Sequence, residues 1–118
     1  MANAIRKTAV EVRRLSAAEA EVWVTAEPDA VTSATELRGR LTGPRCPGVT
    51  TVEIAYPLRP LPRAAEEPAN VLTLRGLIPE PNLWTEATPF VYDVRLELWQ
   101  DGKRADVATL PVGLKQPR

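Results

Sequence analysis

The chain has no histidine and one cysteine, and its 15 basic side chains are cancelled by 15 acidic ones. Each shortage closes off a chemistry. Without histidine, no side chain has an ordinary pKa near neutrality, so the commonest general base and the imidazole metal ligand are both missing. With Cys46 alone there is no intrachain disulfide, and stability must come from packing. Soft or imidazole ligands reduce to that one thiol and the four aspartates are scattered, so neither a metal nor another cofactor is expected. Phosphate-cradling glycine loops and nucleophile elbows are absent as well. Balanced charge provides no field for a phosphate backbone or an anionic lipid surface, which argues against nucleic-acid and membrane partners. No apolar run approaches the roughly 20 residues of a membrane helix, and Met1 to Lys7 lacks the apolar stretch of a secretory signal. The expectation is a cytoplasmic protein, unless the chain is a piece of an exported one.

Proline, by contrast, is plentiful. Twelve in 118 residues is about twice the usual share of roughly 5%, and a residue that cannot donate to a ladder marks strand ends and connections. The length suits one domain, 1–118, with a single core. Apolar and polar residues alternate in short runs with no helical stripe, the pattern of an all-β protein. In the clearest run Phe90, Tyr92, Val94, Leu96 and Leu98 share one face, while Asp93, Arg95 and Glu97 share the other. Further runs are Thr8 to Arg14 with Val10 and Val12 inward, Glu21 to Ala26 with Val22 and Val24, and Thr35 to Leu41 with Leu37 and Leu41. Thr50 to Tyr56 points Val52, Ile54 and Tyr56 inward, Val71 to Ile78 points Leu72, Leu74 and Ile78, and Arg104 to Leu114 points Ala108, Leu110, Val112 and Leu114. Seven such strands predict an immunoglobulin-like sandwich of two antiparallel sheets. Asp101-Gly102 marks a hairpin between the last two, since both residues accept positive φ. Ser16 to Ala20 reads as the first hairpin connection, at most one helical turn. The proline-rich stretch from Pro57 to Asn70 reads as a long polyproline connection.

The segment Pro81-Asn82-Leu83-Trp84-Thr85-Glu86-Ala87-Thr88-Pro89-Phe90-Val91-Tyr92 carries the most specific information. It resembles the Asn-Pro-x-Leu-Trp-Ser-Pro-x-Asn-Pro-Tyr-Leu-Tyr signature in the immunoglobulin-like domain of family 2 glycoside hydrolases. Pro81, Leu83, Trp84, Pro89, Phe90 and Tyr92 occupy the signature positions, and Gly113-Leu114-Lys115 is similar to the Gly-Phe/Ile-Arg that closes that domain. The chain departs at Lys115, at Leu114 and at Thr85 to Thr88, which stand in for arginine, a bulkier residue and Ser-Pro-x-Asn. The resemblance implies a non-catalytic accessory sandwich, free-standing or cut from a larger glycosidase. Physically, Trp84 and Phe90 flank a reversal from one sheet to the other, Pro89 fixes φ at a strand entry, and Tyr92 buries its ring while its hydroxyl seeks a backbone partner. Trp84 reads as core.

No residue set supports a reaction. Glycoside hydrolysis needs two facing carboxylates, and the family's Asn-Glu pair has no counterpart, because Asn3, Asn70 and Asn82 precede Ala4, Val71 and Leu83. Glu66-Glu67 read as solvated loop charges, and Cys46, next to Arg45, as an inert loop thiol. Trp23 and Trp99 fall on the outward parity of their strands, on opposite sheets, and are the candidate binding residues, with partial cover by side chains such as Arg95 and Lys103 as the plainer reading. Arg59-Pro60-Leu61-Pro62-Arg63 resembles a proline-rich ligand of SH3-like domains, or else is a stiff loop. The partners to expect are a protein or an adjacent domain, a weak homodimer, or a carbohydrate held on an exposed tryptophan.

Overall fold

The computed structural model describes residues 3–61 and 70–115. They form β1 (Ile5–Leu15), β2 (Glu19–Pro28), β3 (Thr35–Arg45), β4 (Ile54–Pro60), β5 (Leu72–Pro79), β6 (Val91–Gln100) and β7 (Lys103–Val112), with no helix among the described residues. All pairings are antiparallel, in the order β1-β2-β5-β4-β3-β6-β7. The sheet is continuous but curls into two layers: β1, β2 and β5 make the first, and β3, β6 and β7 make the second. Strand β4 belongs to both. Its Ile54 to Leu58 pair with Gly43 to Gly39 of β3, and its Arg59 and Pro60 pair with Arg75 and Leu74 of β5.

Alternation becomes burial. In β6, Tyr92, Val94, Leu96 and Leu98 are buried, and in β2 so are Ala20, Val22, Val24 and Ala26. Leu37 and Leu41 of β3, Leu58 of β4, Leu74 and Ile78 of β5, and Val112 and Leu114 complete the core from both layers. Val10, Val12, Ala108 and Leu110 on the two terminal strands are only partly covered, as edge positions must be.

The turns follow from their side chains. Asp101 and Gly102 have φ of 54° and 75°, the left-handed pair that a two-residue hairpin between twisted strands requires. Between β1 and β2 there is a turn and no helix: Ser16 Oγ accepts the N–H groups of Ala18 and Glu19, both at 3.2 Å, and five residues cannot nucleate a helix against that competition. The free ends of the curled sheet meet at one point, where the carboxylate of Asp106 on β7 accepts the Ile5 N–H of β1 at 2.8 Å.

One strand differs from the sequence expectation. The run expected at Thr50 to Tyr56 lies at Ile54–Pro60 instead, so Val52 is 82% exposed, Ile54 is 49% exposed, and Leu58 is the buried residue. Pro57 and Pro60 lie within a strand and not at the start of a polyproline connection. Proline is tolerable here because β4 changes partners midway, and the donors it lacks would otherwise need acceptors on both layers. The remainder of that connection, including Pro62, Arg63, Glu66 and Glu67, lies outside the described residues.

Tyr92 fastens the crossing from β5 to β6. Its ring is buried, and its hydroxyl accepts the Asn82 N–H at 3.0 Å, the geometry of a tyrosine corner. Burial pushes its phenol pKa up, and the Asn82 bond opposes that shift. Tyr92→Phe removes only the acceptor and is expected to cost about 1 to 2 kcal/mol, whereas Tyr92→Ala also opens a cavity and is expected to cost about 3 to 5 kcal/mol. Urea melts of both variants check the ranking; equal losses would mean that the hydroxyl contributes nothing.

Candidate functional site

Trp84 is half-buried at the rim rather than in the core, as the sequence reading had it. The reason is local: its N–H donates to the Leu114 carbonyl at 2.9 Å and its backbone bridges to Pro89, so the ring lies over the departing end of β7. One ring face packs on Gly113, where a Cβ would come within 2.9 Å of the indole. Lys115 Nζ sits 4.2 Å from the ring centroid. Pro81 is buried, Leu83 packs on the core, and Phe90 is half-buried with its N–H donated to the Thr88 carbonyl at 2.8 Å. The departure at Thr85 to Thr88 has its own closure. Thr85 N–H donates to the Thr88 carbonyl at 3.1 Å, Thr88 N–H returns a bond to Thr85 Oγ1 at 2.9 Å, and the two hydroxyls lie 2.8 Å apart.

Trp23 lies on the outer face of the first layer, in register with Glu11 of β1 and Arg75 of β5. Strand β1 shifts register between Val12 and Arg14, and the extra residue, Arg13, stacks its guanidinium 4.0 Å from the Trp23 centroid. Arg13 also reaches Glu11 at 3.1 Å. Beside Trp23 the Glu21 carboxyl is held below its usual range, chiefly by its bond from Arg75 and then by the indole. The Trp23 N–H falls short of full hydrogen-bond geometry and is buried without a partner. Two shallow clefts of about 230 and 240 Å³ open along this face and share Ala9, Thr25 and Val71.

Trp99 lies on the outer face of the second layer. Arg38, on the diagonal across β3, stacks 4.2 Å from its centroid and grips Glu36 with two bonds of 2.9 and 3.1 Å. The Trp99 N–H donates to Glu97 at 3.1 Å. Arg95 and Lys103 were the expected covers, but Arg95 turns to Glu97 at 3.3 Å, because the carboxylate two residues along the same face is nearer than the ring. The Trp99 bond is the main cause of a lowered Glu97 pKa, with Arg95 and Arg104 adding to it. A cleft of about 120 Å³ lies among Arg38, Gly39, Arg40, Arg95 and Glu97. The two tryptophans therefore sit on opposite faces and do not form one site, and each already has a cation over its ring.

Cys46 is buried beneath a turn, its Sγ 3.7 Å from the Pro47 carbonyl, and Arg45 is engaged by Asp93 through bonds of 2.7 and 3.0 Å. Among the described residues no group of three His, Cys, Asp or Glu side chains comes together to hold a metal, and no helix is long and apolar enough to cross a membrane. These three clefts carry one carboxylate each, Glu97, Glu11 and Glu27, and so does a fourth, of about 450 Å³ between Pro44 and Asn82, with Glu80. Arg59 and Pro60 of the proline-rich motif are committed to the ladder with β5, while Pro62 and Arg63 lie outside the described residues.

The profile of Glycosyl hydrolases family 2 matches residues 3–115. The chain belongs to that family. Among solved structures it is similar to a Bifidobacterium dentium β-glucuronidase complexed with coumarin-3-O-glucuronide, at a TM-score of 0.66 and 16% identity, over 96% of this chain and 18% of that one. It is also similar to a β-glycosidase from Bacteroides vulgatus (TM-score 0.59, 19% identity, 95% and 13% coverage). A third is a family 2 member from Bacteroides cellulosilyticus (0.61, 20%, 95% and 14%). No curated protein matches the chain. The family 2 chain spans 12 to 18% of the length of these and similar solved structures. At such identities the likeness carries the fold: a β-sandwich unit compatible with a non-catalytic domain.

The cation over each tryptophan makes this family 2 unit measurable. Trp84→Ala is expected to cost about 2 kcal/mol, less than the roughly 3 to 5 of a fully buried ring; a loss below about 0.5 kcal/mol in denaturant melts would place the ring in solvent. The depressed carboxyls give a pH dependence as well. A group with a lowered folded pKa contributes stability above its unfolded value and loses it as pH falls through the folded one. Because Glu21, Glu36, Asp93 and Glu97 are all lowered, the melting temperature should hold near neutrality and drop below about pH 4. Glu97→Gln should make that drop shallower, and an identical acid profile would refute the assignment.

Proposed function

We propose that this chain is a non-catalytic contact module of the family 2 type, acting by holding or docking against a partner protein or neighbouring domain, and not by turnover. The carrying observation is that all three indoles already hold a cation at 4.0 to 4.2 Å, which a sugar stacking on that ring face would have to displace. The single carboxylate in each cleft supports the same reading, since both glycosidase mechanisms need two carboxyls flanking one bond, about 5 to 9.5 Å apart. The related solved structures act on or carry glycosides, and this chain corresponds to less than a fifth of their length.

A carbohydrate-binding reading has one observation in its favour, the pair of adjoining clefts beside Trp23, floored by Ala9 and Thr25. It requires Arg13 to leave the ring, at a cost of about 0.5 to 1 kcal/mol for an exposed cation–π pair. Both readings are testable on the isolated chain. It is expected to hydrolyse no chromogenic β-glucuronide, β-galactoside or β-mannoside, and its tryptophan fluorescence is expected not to saturate with any oligosaccharide of a glycan panel. Turnover that survives repurification would overturn the non-catalytic reading. Saturable quenching that strengthens in Arg13→Ala would replace the contact reading with the carbohydrate one.

A further inference from the structure

The connection between β3 and β4 and the first residue of β4 leave three apolar side chains at one end of the sandwich: Val49 at 44% exposure, Val52 at 82% and Ile54 at 49%. Beside them opens the largest of the clefts, about 450 Å³, lined by Pro44, Thr51, Val52, Ile54, Tyr56, Pro79, Glu80 and Asn82. Pairing of Gly43 with Ile54 and of Arg45 with Val91 places this cleft at the end where β6 begins. Glu80 on its rim has a φ of 46°, a left-handed backbone that a side-chain-bearing residue adopts rarely, and its N–H is tied to the Ala18 carbonyl at 2.9 Å.

We propose that this end is a self-association surface, and that the occupant of the cleft is Val52 of a second copy of this chain. The inference rests on the contact reading above and names its partner. Val52 forms part of the cleft wall and still projects into solvent, so the same patch offers both a side chain and a place to receive one. A two-fold axis next to Val52 lets each copy insert its valine into the other's cleft, which is the closed, isologous arrangement. A formal charge of zero puts no long-range repulsion in the way. The sheet edges are worse candidates, because β1 carries two register shifts and β7 carries Pro111 and the Asp106 tie.

Area bounds the contact, although it does not fix the affinity. Ten-residue strands run about 33 Å, so the 45 Å axis of this 45 × 29 × 19 Å molecule follows them and an end contact is limited to the 29 × 19 Å section. That is roughly 1,100 Å² over both copies, just under the lower bound of about 1,200 Å² for stable specific interfaces. An interface at or below that size belongs with weak, transient associations.

Sedimentation velocity from about 10 μM to about 1 mM tests this, a range that covers weak association. Wild type should shift from monomer towards dimer, and Val52→Asp should need at least about tenfold more protein to do so, because the carboxylate would lose the valine's apolar contacts and enter a cleft that already carries Glu80. Thr109→Asp, exposed on the outer face of β7, adds the same charge away from this end and should associate like wild type. Both substitutions are on exposed side chains, and matching melting temperatures confirm that they fold. A wild type that stays monomeric throughout overturns the proposal, as does Thr109→Asp losing association equally. Neither of those results touches the contact reading, which fails on glycan binding or turnover instead.

Discussion

Everything about this sandwich depends on β4 being bonded on both sides. Its first five residues complete β3 and its last two complete β5, so one unbroken hydrogen-bonded path runs across two layers that would otherwise be held mainly by side chains. The handover works because Leu58 points into the core between Gly39 and Gly76, where a Cβ would stand 3.0 and 2.6 Å from the leucine methyls. Both layers can therefore close on the same side chain. Proline at 57 and 60 removes two donors at the point where a strand leaving one ladder for another has fewest acceptors.

From that curl follows the division of labour between inside and outside. The large apolar residues converge on one core, and the outer faces are left to indoles, guanidiniums and carboxylates. Trp23 and Trp99 are not free hydrophobic patches: each indole has Arg13 or Arg38 stacked on it and a glutamate on its own strand nearby. Such a cover is weak in energy but specific in geometry, since arginine stacks while still using its fork on Glu11 or Glu36. Both faces thus present charge networks around their indoles.

Most of the fold was legible in the sequence because most strands alternate strictly. The β6 pattern, the Asp101-Gly102 turn and the Tyr92 corner each depend on residues close in sequence, and each follows from local chemistry. The site was less legible. Arg13 reaches Trp23 only because β1 shifts register beside it, and Arg38 reaches Trp99 only because β3 is paired with β6 from far along the chain. Alternation alone carries neither fact. Strand β4 misled for a different reason: Val52, Ile54 and Tyr56 alternate as well as any true strand, and only the partner-switching role of the strand moves its start to Ile54. Asp106 is the inverse case, a carboxylate on the inward parity of β7 whose purpose is visible only once Ile5 of β1 arrives beside it.

The misread strand also explains why apolar surface collects at one end. Once Ile54 rather than Thr50 begins the ladder, residues 49 to 53 are left as a connection that owes nothing to the core, yet keeps two valines. Elsewhere in the described residues exposure of large apolar groups is limited to Leu77, which lies in β5. Each other route to association carries an obstacle: bulges on β1, Pro111 and Asp106 on β7, and stacked cations on both faces. The β3–β4 end carries Glu53 next to Val52 and Glu80 in the cleft, the latter held in a left-handed backbone by its bond to Ala18, but among the described residues no bulge, proline-capped edge or stacked cation covers its valines. Natural β-proteins blunt their edges when pairing would be harmful. On the proposed self-association, the obstacles on the edges and faces and the valines beside the cleft act together, leaving that end as the surface where a second copy meets the fewest of them.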